Sequence, residues 1–188
     1  MKPTLHLKSG RLRPATLDDA AEMLALLRAP TVRRFLCDDR ALARAEIDAM
    51  LADSAALDAD AMGLWIIEDD WNRLAGLAGL APVSPEASVS DAMTGGIEPT
   101  IAIAPEYEGT GLAFAALKSL VDYARSSLAL DRLVAAVDEP NTRSQRLIER
   151  AGFEAIGRAR GPAHELVLYE LVFGSAGRVH TELQEKIP

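Results

Sequence analysis

Residues 98–113 read EPTIAIAPEYEGTGLA, and a helical pattern follows at once. The β-branched, apolar run predicts a strand over 97–104. A Pro-containing bend comes next, then two glycines one residue apart. A helix follows over 111–128, with Leu112, Ala116, Leu120 and Ala124 on neighbouring turns. Glycine permits dihedrals closed to other residues and lets a ligand approach the main chain. The helix start offers unpaired N–H groups and the positive end of its dipole. Strand, glycine turn and helix start together make an anion cradle, for which a pyrophosphate is the obvious guest. Alone, a Gly-x-Gly turn is equally a plain strand-to-helix connection. Here NTRSQRLIERAGF follows at 141–153 and adds Asn141, Ser144 and Gly152-Phe153.

Outward from that stretch, the chain reads as alternating helices and strands. Residues 12–15 are the end of a strand after a short lead-in. Thr16 caps a helix that begins at Leu17 and stops before Pro30. A second helical pattern spans 41–57. Strands at 63–69 and 74–83 pair across a turn at 69–73. Residues 84–96 form a loop. Further strands are expected at 132–137, 155–159 and 166–173, with a helix at 142–151. Pro99 inside the 97–104 strand cannot donate to a ladder, so it requires an edge or a bulge. One domain over 1–174 and a C-terminal tail over 175–188 are expected.

Composition narrows the function classes. The chain has 188 residues and a formal net charge of −8, which argues against a nucleic-acid-binding body. That charge suits a basic substrate such as an amine, and serves solubility equally well. Cys37 is the only cysteine, so no intramolecular disulfide and no cysteine-based zinc site is possible. His6, His164 and His180 show no metal-ligand spacing, and no metal is expected. No secretory signal is apparent and no apolar run approaches the roughly 20 residues of a spanning helix. The expectation is a soluble cytoplasmic protein, monomeric or homodimeric, with no membrane partner.

The stretches RLRPATLDDAAEMLALL, VRRFLCDD, EPTIAIAPEYEGTGLAFAALKSLVDYA, AVDEPNTRSQRLIERAGFEAIGR and ELVLYEL together resemble the GNAT superfamily of acyl-CoA-dependent N-acyltransferases. The RimJ/RimL-like branch, which acetylates ribosomal-protein N-termini, is most similar. The resemblance implies an α/β (α+β) fold: a mixed, mostly antiparallel sheet with helices on both faces, splayed and bulged at the central strand. It implies acetyl-CoA as co-substrate and a primary amine as acceptor, joined by direct attack in a ternary complex. A catalytically degenerate acyl-CoA sensor or scaffold is the alternative.

Residue by residue, the resemblance assigns the diphosphate to Glu108, Gly109, Thr110, Gly111, Leu112 and Ala113. Gly111 and Ala113 fit the family pattern. Glu108 stands where Gln or Arg is usual, and Thr110 where a basic residue is frequent. The pantetheine arm is assigned to the backbone of Ile101, Ala102, Ile103 and Ala104, added like a β-strand. A free N–H of Ile103 or Ala104 would polarise the thioester carbonyl. Asn141 matches the asparagine that contacts pantetheine, and also suits an N-cap. Ser144 and Arg146 complete the cofactor set, Arg146 being equally a solvated helix residue.

Glu98 is the candidate catalytic residue. An ammonium ion must lose a proton before it attacks a thioester, and a carboxylate takes that proton directly or through water. A carboxylate that binds the amine, or caps nearby N–H groups, without proton transfer is the equal alternative. The tyrosine general acid common in the family is replaced by Ile148. Phe35, Trp65 and Glu98 are the candidate acceptor contacts, with core packing the competing reading for the two aromatics and for Trp71.

Overall fold

The computed structural model describes residues 2–85 and 88–174. The expected tail at 175–188 lies outside these residues. The elements are β1 (Leu5–His6), β2 (Arg11–Pro14), α1 (Ala20–Arg28), α2 (Pro30–Leu36), α3 (Arg44–Ala56), β3 (Gly63–Glu68), β4 (Leu74–Pro82), β5 (Ile97–Ile103), α4 (Leu112–Ser126), β6 (Arg132–Asp138), α5 (Thr142–Arg150), β7 (Glu154–Arg160) and β8 (Glu165–Val172).

β1 to β5 form one antiparallel sheet in sequence order, and β6-β8-β7 form a second. No ladder joins β5 to β6, so the strands stand side by side with a gap between them. The splay expected at the central strand is therefore present. Its neighbouring register is uninterrupted, running from Gly76 opposite Ile103 to Pro82 opposite Ile97. The expected bulge does not interrupt this pairing, and Pro99 is accommodated by the edge instead. Ala104 N–H donates to Ala75 O at 2.9 Å, and Gly96 O accepts from Val83 N–H at 2.9 Å. Strand alternation then turns the backbone groups of 98, 100, 102 and 104 toward β4, and those of 97, 99, 101 and 103 toward the gap. Pro99 thus lacks only an N–H that would have faced the gap.

Side-chain alternation divides the core. Ile101 and Ile103 pack with α4, whose stripe of Ala116, Leu117, Leu120, Val121 and Ala124 is buried. Ala102 and Ala104 pack on the other face with Met23, Leu26 and Leu27 of α1 and Ile47 and Leu51 of α3. Burying a Leu or Ile of this kind contributes roughly 1.5–3 kcal/mol. The 83–96 loop inserts Met93, 1% exposed, against Val134, Leu166 and Leu168.

The lead-in contains the short strand β1, and the α1 stripe is followed by a separate helix. Pro30 begins α2, at the first-turn position where its missing N–H costs nothing. Trp65 is fully buried, its Nε1 donating to Pro3 O at 2.8 Å and its ring edge-on to Tyr123. It lies in the core on the α4 face, away from α1–α3. The acceptor-contact expectation for Trp65 is corrected accordingly: an enclosed indole has no surface left for a ligand.

Candidate active site

The cradle is built by backbone conformation. Gly109 has φ of +77° and Gly111 +86°, the left-handed region that favours glycine. A Cβ at either would meet nothing within 4 Å, so dihedral freedom rather than crowding explains both glycines. Gly111 is the N-cap of α4, and the helical ladder opens with Ala115 N–H donating to Gly111 O at 3.1 Å. The N–H groups of Leu112, Ala113 and Phe114 stand outside that ladder. Among these, the N–H of Leu112 has a side-chain acceptor, Thr110 Oγ1 at 3.4 Å. Thr110 Oγ1 itself donates to Tyr107 O at 2.7 Å, folding the loop back on its own turn.

Charge around the cradle is distributed between two helices. Arg143, at the start of α5, pairs with the carboxylate of Glu108. The acid that departs from the family pattern is thereby matched by a base from the next motif. Arg150 lies 3.9 Å over the Phe114 ring of α4. Since Arg143 and Arg150 both reach the α4 end, helical spacing sets exposed Arg146 between them on the same side. Lys118 is engaged with Asp122 one turn on.

Asn141 is the N-cap of α5, its Oδ1 accepting from Ser144 N–H at 3.2 Å. The capping role and the sequence assignment are compatible, since the cap leaves the amide nitrogen of Asn141 for another partner. Ser144 sits in the first helical turn as a capped residue. Beside the gap, Ile101 and Ile103 present their backbone groups to it. Ala102 and Ala104 do not. Of the two N–H groups expected to polarise a carbonyl, that of Ala104 is already committed to Ala75 O. Of the two, only the N–H of Ile103 faces the gap.

Glu98 reaches across the splay. Its Oε1 accepts from Ala136 N–H of β6 at 2.8 Å, bridging the two sheets. Burial pushes its carboxyl above the ordinary range, partly offset by that N–H. A weakly acidic carboxyl is a better proton acceptor, and this one is anchored through its Oε1. Ile148 is 5% exposed and packs in the α4-side core, so no hydroxyl acid occupies its position.

On the α1–α3 face, Phe35 of α2 is half-buried with its ring 6.2 Å from that of His164, and Arg34 lies over the same ring at 5.1 Å. This brings α2 to the β7–β8 turn. His164 Nδ1 is in turn 3.3 Å from Asp138 Oδ1 at the end of β6. Trp71 is 73% exposed at the β3–β4 turn, with the Arg73 guanidinium 5.1 Å from its ring centre.

A family model described as "Acetyltransferase (GNAT) domain" matches residues 11–154. The chain belongs to the GNAT acetyltransferase family. Among curated proteins, it is 38% identical over 76 residues to the Bacillus subtilis (strain 168) protein named "Putative ribosomal N-acetyltransferase YdaF". That match covers 37% of this chain and 42% of the relative, so it spans less than half of that protein. Among solved structures, one named "Putative GnaT-family acetyltransferase from Bordetella pertussis" superposes with TM-score 0.77 at 24% identity, over 90% of this chain and 99% of the other. The RimL ribosomal L7/L12 alpha-N-protein acetyltransferase in complex with coenzyme A superposes with TM-score 0.71 at 16% identity, over 90% and 98%. These similarities establish a GNAT fold.

Two features of this GNAT site escaped the sequence. Tyr107 donates its hydroxyl to Asp69 Oδ2 at 2.7 Å, tying the cradle loop to the β3–β4 turn. Burial acts to raise the Asp69 pKa, but the Arg73 N–H, the Tyr107 hydroxyl, the Arg73 guanidinium and the Trp71 N–H outweigh it and hold the carboxyl well below its usual range. The two partners are 38 residues apart, and no local pattern links them. The Asp138–His164 pair was hidden for the same reason.

Proposed function

We propose that this chain is an N-acetyltransferase that moves the acetyl group of acetyl-CoA to a primary amine, by direct attack within a ternary complex. Acetyl-CoA supplies an acetyl thioester, whose C–S bond is exchanged for a C–N bond with CoA leaving as the thiolate. The residues fit this co-substrate. The open, positive-φ loop and first turn of α4 suit its diphosphate, with Arg146 nearby and Arg143 offsetting Glu108. The gap-facing backbone of Ile101 and Ile103 suits an amide-bearing arm. Asn141 stands across the gap at the end of β6.

The observation that carries the reading is Glu98. It is held by Ala136 N–H at the mouth of the splay, with a carboxyl that burial has made more basic. In this role Glu98 accepts the proton that the ammonium must lose. A thiolate leaving group of ordinary pKa about 8.5 needs little help from an acid, which makes the buried Ile148 tolerable. We assign the transferase unit to residues 1–174 and its compartment to the cytoplasm, which the lone Cys37 suits.

A second reading is favoured by that same Ile148. A degenerate member that binds acetyl-CoA as a sensor would need no proton relay. Calorimetry with acetyl-CoA, followed by thiol release across an amine panel, separates the two. Heat and amine-dependent thiol release are expected. Heat without thiol release from any amine would leave the sensor reading. No heat at millimolar acetyl-CoA would remove both.

A further inference from the structure

A cavity on the α1–α3 face bears on the acceptor. It has a volume of about 330 Å³. Its apolar wall is Leu27, Leu36, Leu42, Met50, Leu64 and Leu77. Thr100 lines it from β5, and Cys37 with the exposed Asp38 and Arg40 completes the lining at its rim. Thr100 and Glu98 lie on one face of β5, two residues apart, so the cavity begins about 6.6 Å along the strand from the proposed base. An extended thioether side chain nearly covers that span from its own α-nitrogen, and a leucine side chain covers most of it.

The rim separates charges from the interior. Arg40 Nη2 is held by Glu46 Oε1 at 2.6 Å, and Asp39 by Arg33 Nε at 2.9 Å. Exposed Asp38 has no ion-pair partner among the described residues, and leaves a negative charge at the mouth. Asp38 and Asp39 both adopt left-handed backbone, with φ of +49° and +57°. Two such residues in succession are strained, and a strained turn at a pocket rim is a pointer to function. Inside, a charged acceptor arm would lose its hydration with nothing to replace it.

Resting on the transferase reading above, we infer that this cavity is the acceptor's side-chain subsite, and that the acceptor is an α-amine on a residue with an aliphatic or thioether side chain. The α-amine faces Glu98, the side chain enters between α1, α2 and α3, and Asp38 draws the cation toward the mouth. Polyamines, with a second cation along the chain, are excluded by the same wall.

The test uses the full chain with CoA bound. Leucinamide, methioninamide, glycinamide and spermidine are titrated by calorimetry, and thiol release from acetyl-CoA is measured with each. Leucinamide and methioninamide should exceed glycinamide roughly tenfold or more in both affinity and kcat/KM, the scale of an apolar side chain filling a pocket. Leu36→Glu changes the exposed residue of the apolar wall and places a charge there. It should collapse that ratio toward one while acetyl-CoA binding is retained. Equal use of glycinamide, preference for spermidine, an unchanged ratio in Leu36→Glu, or no amine binding at all would overturn the subsite. Selective leucinamide binding without thiol release would keep the subsite and remove the transferase reading.

Discussion

Glu98→Gln separates the chemistry from the architecture. Glutamine keeps an oxygen for Ala136 N–H, so the 2.8 Å bridge between the sheets is retained. It cannot accept a proton at neutral pH. The expected loss in kcat for an amine acceptor is therefore about 10² or more, at least ~2.7 kcal/mol of barrier. The acidic limb of the pH–rate profile should vanish with it. Acetyl-CoA affinity should hardly change, because Glu98 occupies the α1–α3 side of β5. Stability adds a second, opposite signal. Burial raises the Glu98 carboxyl in the folded state, so the folded chain holds this proton to higher pH than the unfolded chain, which releases it near about 4.3. Its stability contribution is then greatest in acid and falls as pH rises from the unfolded toward the folded value. A glutamine at this position does not titrate, so the variant should match the wild type in acid and melt higher near neutrality. The assay is kcat and KM by thiol release, with thermal melts across the acidic to neutral range. A wild-type rate in Glu98→Gln would refute the base. A loss confined to KM would make Glu98 an acceptor anchor.

Three further outcomes follow from the cradle. Gly111→Val places a β-branched residue at φ of +86°, which costs about 1–2 kcal/mol. At ~2–4 °C per kcal/mol for a domain of this size, Tm should fall by roughly 2–8 °C with the fold intact. Calorimetry should show acetyl-CoA binding lost as the loop re-aims its amides; unaltered binding would clear the loop of that role. Glu108→Gln frees Arg143 and removes an acid from the cradle, so acetyl-CoA should bind several-fold more tightly, within the ~1 kcal/mol of an exposed pair. Weaker binding would give the carboxylate a positive role. Tyr107→Phe cuts the hydroxyl link to Asp69 and should weaken acetyl-CoA binding while kcat at saturation is kept. Equal affinity would make the link purely structural.

The cradle, the strand before it and the α5 cap were legible because each is local. Glycine spacing, a capping asparagine and helical period are short-range patterns, and the structure uses them as written. The free edge behind Pro99 was half legible: proline announces an unpaired N–H but not on which side the gap lies. Backbone direction was illegible, and Ala104 was consequently counted as a free donor although its N–H closes the β4 pairing. For Trp65 the sequence leaves acceptor contact and core packing both open, and the structure shows core packing, since aromatic type says nothing of which sheet face a residue occupies. The links from Tyr107 to Asp69, Glu108 to Arg143, Asp138 to His164 and Glu98 to Ala136 join segments far apart in sequence. Only the folded chain brings them together.

Direct transfer is tested by initial rates of thiol release, measured while acetyl-CoA and leucinamide are varied together. Thiol release dependent on the amine, with reciprocal plots that intersect, is the expected result of attack within a ternary complex. Parallel plots with a burst of thiol before amine is added would signal an acetyl-enzyme instead, and would contradict both direct attack and the role given to Glu98.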